Sequence, residues 1–184
     1  LSRAALARQA TKKIVVDGAQ EGSYIGVMPR ALDAAEIALA HSQDASAMNQ
    51  LHAIFTRSLQ LTDAQQRKLW VSQIGDSISL AQRCGFISCL ILAWASDLTE
   101  NGTSFKQNLA ASTIQRYIRS VLWPLWDVFS KCEANLDEEI SVDTLKECYD
   151  AVWMHPKFSH SEASRQALSS WHKFLVREFN VPNL

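Results

Sequence analysis

The run Phe86 to Leu98, FISCLILAWASDL, constrains this chain more than any other stretch. It is apolar nearly all round, too short to span a membrane, and lacks the alternation of a half-buried strand. As a helix it has to be buried centrally, with several amphipathic helices laid against it. The composition agrees. Of 184 residues, 47% are apolar and 20% charged, with only six Gly and four Pro, which argues against disorder and against a loop-rich β fold. The expected class is all-α, a multi-helix bundle. The length suits one large domain or two small ones.

Punctuation along the chain divides it into three parts. Leu1 to Lys13 is Ala-rich and compatible with a short helix. Ile14 to Val16, followed by Asp17, Gly18, Gly22, Gly26 and Pro29, reads as an extended connector, so residues 1–28 form an N-terminal arm or linker. Residues 29–102 read as a helical N-terminal domain. It opens with a helix from Pro29 to His41, and continues with one capped by Asp44 or Ser46 and striped by Met48, Leu51, Ile54, Phe55 and Leu59. A capping box at Thr62 and Gln65 then starts the longest helix, Asp63 to Cys84, which Gly85 ends. The run Phe86 to Leu98 closes this part.

Glu100 to Ser104 marks a boundary, and residues 103–184 form the third part. A second box, Ser112 and Gln115, opens a helix reaching Ser130. Pro124 should kink or break it near Leu122 to Pro124, at a local cost of ~3 kcal/mol if the helix continues. The acidic stretch Glu133 to Glu139 reads as a solvated turn. Ser141 caps a helix from Val142 to Met154, ended by His155-Pro156. A third box, Ser159 and Glu162, opens a helix to Phe179 striped by Ala167, Leu168, Trp171, Phe174 and Leu175. Arg165, Ser169, His172, Lys173 and Arg177 fall off that stripe.

No catalytic constellation is present. The five His stand in unrelated contexts, and neither H-E-x-x-H, G-x-S-x-G nor a Walker pattern occurs. No cofactor is implied. Cys84, Cys89, Cys132 and Cys148 form no C-x-x-C pair and have no His at zinc spacing, so they read as buried thiols of a reducing compartment rather than metal ligands or a disulfide framework. A cytoplasmic location follows, nucleoid-associated if the chain binds DNA. Leu1 rather than Met at the start reads as an excised piece of a longer protein. The formal charge is -1 and the pI near 6.6. Nine basic and nine acidic residues precede Thr103, and nine and ten follow, so any nucleic-acid footprint has to be local.

The last part carries a further pattern. AASTIQRYIRSVLWPLWDVFS, then ISVDTLKECYDAV, then SEASRQALSSWHKFLVREFNVPN resembles the N-terminal, core-binding (SAM-like) region of tyrosine recombinases and phage-type integrases. Ser112, Thr113, Tyr117 and Arg119 match the opening helix of that region. Arg165, Leu168, Trp171, Phe174 and Leu175 match its closing helix. Asn183 stands where the Asn of the junction to the catalytic domain falls, with Leu184 in place of the usual Pro.

The resemblance implies a four-helix core-binding bundle in the C-terminal half, forming one jaw of a clamp on double-stranded DNA during recombination and integration. The catalytic half would lie outside this chain, since no His has Arg three residues later and the full catalytic set is missing. Arg116, Arg119, Arg165, Lys173 and Arg177 would then meet phosphates, and Thr113, Gln115, Gln166, Ser169 and His172 phosphates or base edges. Two rival classes stand beside this one. One is a helical interaction or assembly module that self-associates through an exposed face of the N-terminal domain. The other is an enzyme using a helical cleft without a recognisable motif.

Overall fold

In a computed structural model the chain is described over residues 44–57, 60–103, 106–132, 140–179 and 181–184. The expected arm at 1–28, the helix from Pro29 to His41 and the acidic turn at 133–139 lie outside the described residues. Among the described residues there are seven helices and no strand. These are α1 (Ala45–Thr56), α2 (Asp63–Asp76), α3 (Ile78–Arg83), α4 (Phe86–Asn101), α5 (Ala111–Lys131), α6 (Val142–Trp153) and α7 (Glu162–Phe179).

Every residue from Phe86 to Leu98 on α4 is buried, as its all-round apolar character requires. Gly85 and Gly102 bracket that helix at φ +99° and +68°. At Gly102 a Cβ would run into the carbonyl oxygens of Lys106 and Gln107, so the turn into the next segment needs glycine for space as well as for φ. Buried in this way, Phe86 to Leu98 offers no exposed apolar face.

The hub is α5 rather than α4. It packs against α1, α2, α4, α6 and α7. The buried side chains make one continuous cluster from Ala47 to Leu175, running across the Glu100 to Ser104 turn. Aromatic rings knit its centre: Trp171 of α7 meets Trp94 of α4 at 5.7 Å and Phe129 of α5 at 5.6 Å, both edge-on. Trp94 donates to Ser170 Oγ at 3.1 Å, and Trp126 donates to the Cys84 carbonyl at 2.9 Å.

Helix starts follow local chemistry in part. Asp44 caps α1 through the Ala47 N–H, the Thr62–Gln65 box is complete, and Ser141 caps α6. Three expectations fail. The helix expected from Asp63 to Cys84 is divided at the buried Ser77 into α2 and α3, which lets α3 lie along α4. The Ser112 box does not form. Its helix starts at Ala111 with Ala110 as N-cap, Asp63 of α2 accepts from the Ala111 N–H, and Gln115 turns away. The last helix begins at Glu162 instead of Ser159, because Ser161 Oγ accepts from the Ser164 N–H at 3.1 Å. At Pro124, where a kink or a break is expected, α5 does not break. Leu122, Pro124, Leu125 and Trp126 are all buried there, and packing on five neighbouring helices holds the turn that a lone helix would lose.

Candidate nucleic-acid interface

The start of α5 and the polar side of α7 face each other beside Gly102, Thr103, Lys106 and Gln107 and enclose a groove of about 580 Å³. Thr113 and Tyr117 come from α5. Gln166, Ser169, Lys173 and Arg177 come from α7 at steps of three and four residues, the spacing that puts side chains on one face of a helix. The Tyr117 hydroxyl donates to Gln166 Oε1 at 2.7 Å, and Gln166 Nε2 donates to Glu162 at 3.0 Å. This chain of bonds holds the amide at the mouth of the groove. Burial pushes the Tyr117 phenol up, so it stays a donor.

Charge inside the groove is locally positive. Lys106, Lys173 and Arg177 line it against one carboxylate, Asp97. Asp97 lies at the end of α4 with its side chain 5% exposed, and Arg177 meets it at 2.7 Å while remaining 52% exposed. The ion pair with Asp97, followed by Glu178, raises the Arg177 guanidinium above its ordinary pKa. Asn101 Nδ2 donates to Asp97 at 2.9 Å. The floor of the groove is thus a built polar network, and two of its cations, Lys173 and Arg177, stand on α7.

A smaller hollow of about 370 Å³ lies on the other side of α7, between it and α6. Arg165, Ser169 and His172 line it together with Tyr149, Asp150 and Trp153. The Arg165 guanidinium lies over the Trp153 ring at 5.6 Å. His172 is engaged at both nitrogens: the Leu184 N–H donates to Nε2 at 3.2 Å, leaving Nδ1 to donate to the Tyr149 hydroxyl oxygen at 3.0 Å. Burial lowers the His172 pKa and keeps the ring neutral in that tautomer.

The ten sequence-derived candidates therefore divide. Thr113, Gln166, Ser169, Lys173 and Arg177 converge in the larger groove, and Arg165, His172 and again Ser169 in the smaller. Arg116 and Arg119 are exposed on α5 outside both. Gln115 donates to the Arg57 carbonyl at 2.7 Å, bridging α5 to the end of α1. Sequence reasoning missed Lys106, Asn101 and Asp97 as groove residues. Their only local sign was the Asn101-Gly102 turn, and no periodicity ties that turn to α7.

Among the described residues no three His, Cys, Asp or Glu side chains cluster as metal ligands would, and no helix is long and apolar enough to cross a membrane. Comparison with protein-family models, with curated proteins and with solved structures found no match.

Proposed function

We propose that this chain is a helical DNA-binding module, equivalent to the N-terminal core-binding portion of a tyrosine recombinase, which positions duplex DNA for a catalytic domain outside it. In that reading α5, α6 and α7 belong to the SAM-like bundle, and the groove between α5 and α7 receives the sugar–phosphate backbone. One observation carries the proposal: residues some fifty positions apart, Thr113 against Gln166, Ser169, Lys173 and Arg177, meet in one groove whose lining holds three cations and one carboxylate. Fixed donors beside cations are what phosphate contacts require. The net charge of -1 agrees with a local footprint and modest affinity.

With at most about three phosphates neutralised by the three groove cations, log K should fall with log salt at a slope no steeper than about -2.7. A mobility-shift titration with random-sequence duplex at several salt concentrations measures both slope and affinity. The Lys106→Glu/Lys173→Glu double variant, which reverses two of the three groove cations, should abolish binding with helicity unchanged. Undiminished binding by that variant refutes the interface.

The rival interaction-module reading draws on one specific feature, the exposure of Met154 (78%) beside Trp153 (39%) at the end of α6. Concentration-dependent association without DNA affinity, abolished by Met154→Gln, would favour it instead.

A further inference from the structure

The end of α5 and the middle of α6 bring two thiols together that nothing in the DNA-binding reading uses. Cys148 Sγ lies 2.8 Å from Cys132 Sγ, with the two residues sixteen positions apart in the chain. A disulfide needs about 2.05 Å between the sulfurs, so closing the bond requires a movement of under about 1 Å. The partners differ in access. Cys132 follows the last residue of α5 and is half-buried, whereas Cys148 points from α6 into the core. Both are free thiols.

We infer that Cys132 and Cys148 form a dithiol couple which closes reversibly to a disulfide under peroxide, fastening α6 to the end of α5. Cys132 is the thiol that peroxide can reach. Its sulfur attacks one peroxide oxygen, the O–O bond breaks, and the Cys132 proton leaves with the departing hydroxide as water, giving a sulfenic acid. The Cys148 sulfur then attacks the sulfenic sulfur. The S–S bond forms, the S–O bond breaks, and hydroxide departs with the Cys148 proton as a second water. The two sulfurs together lose two electrons and the peroxide gains them. A thiol reductant such as dithiothreitol reverses the process by exchange.

Access assigns the roles: Cys132 is half-buried and meets peroxide first, while Cys148, buried on α6 and hydrogen-bonded to Cys132, is the resolving thiol. Burial, and then that hydrogen bond, pushes the Cys148 thiol up, so it does not react ahead of Cys132. Cys84 and Cys89 provide an internal contrast: both are buried on or beside α4, and burial pushes them up to about 11 and about 12.

Closing this ring stiffens the attachment of α6. Among the described helices α6 packs chiefly on α5, and it reaches α7 through the Tyr149 to His172 bond. Tyr149 neighbours Cys148 and borders the smaller hollow, so oxidation acts on the α6 wall of that hollow.

The test uses the full chain, first reduced, then treated with hydrogen peroxide and digested for peptide mapping by mass spectrometry. The expected product is a Cys132-Cys148 cross-linked peptide lighter by two hydrogens, with free thiols falling from four to two. The melting midpoint should rise by roughly 5–10 °C and return with dithiothreitol. Cys132→Ser should leave the remaining three thiols unreactive toward peroxide in the folded protein. Stepwise oxygen addition to Cys132 without a cross-link, or a cross-link that involves Cys84 or Cys89, overturns the proposal. Peptide mapping of the unsubstituted chain decides this even if a variant folds poorly.

Discussion

Asp97 on α4 and Arg177 on α7 meet at 2.7 Å, the carboxylate almost wholly buried and the guanidinium half in solvent. The asymmetry of burial makes the two partners unequal. Arg177→Ala leaves a desolvated carboxylate that still accepts from the Asn101 amide, and should cost about 2–3 kcal/mol. Asp97→Asn keeps the shape and leaves Arg177 with Glu178 and water, and should cost about 1 kcal/mol. Urea unfolding of both variants at pH 7 measures the difference. Equal losses would mean that the packing of the long Arg177 stem matters more than the charge pair.

Gly102→Ala should destabilise by roughly 2 kcal/mol or more. Its φ of +68° and ψ of -145° belong to backbone space that a Cβ disfavours, and the added methyl collides with the Lys106 and Gln107 carbonyls. The same turn carries Lys106 into the groove, held by the Thr103 N–H on its carbonyl at 2.9 Å and by Thr103 Oγ1 on its N–H at 3.2 Å. DNA affinity should therefore fall together with stability. Gly85→Ala is the comparison, since nothing lies within 4 Å of its Cβ position and only the φ strain remains, about 1 kcal/mol. Matching losses at the two sites would show that the collision at Gly102 is relieved by movement of the turn.

Stability should decline as pH falls from about 7.5 to 5.5. Burial lowers the His172 pKa below 6.5, and burial with the nearby Lys157 charge lowers that of His52. The unfolded chain takes up protons at about 6.5 while the folded chain does not, so the contribution of these rings is complete above that pH and is lost below it. The carboxylates act in a separate window. Asp63 is held low by the Ala111 N–H and then by Arg67, and Asp44 by the Ala47 N–H and then by Arg83, so their contribution persists until pH falls below about 3.8. Urea midpoints across the upper window should flatten in the His172→Gln variant. An unchanged pH slope would exclude His172 as a source.

Much of the helical outline was legible because it is local. The Thr62 and Gln65 pair had only to fold back on itself to make its box, and Ser141 needed only the Thr144 N–H three residues on. The Ser112 and Ser159 boxes have the same Ser/Thr-x-x-Gln/Glu spacing and failed. Asp63 reached the α5 start from another helix, and Ser161 was one step better placed than Ser159 to satisfy the first turn of α7. Among the candidate site residues, those on α7 were legible as an off-stripe face. Gln115 was not, because its partner, the Arg57 carbonyl, lies 58 residues away.

By itself the sequence determined that α4 must be central, since no orientation of FISCLILAWASDL leaves a polar face for water. It determined the glycine brackets of that helix and the apolar stripe of α7 in the same way, through spacing and backbone freedom. Only the tertiary structure decided that α5 is the hub, that Pro124 sits inside it, and that Ser77 divides one helix into two. It alone brought Lys106 and Asp97 to Lys173 and Arg177, and Cys132 to Cys148. The physical reason is range: capping and periodicity act over three or four residues, whereas a groove or a thiol pair exists only after distant helices have packed.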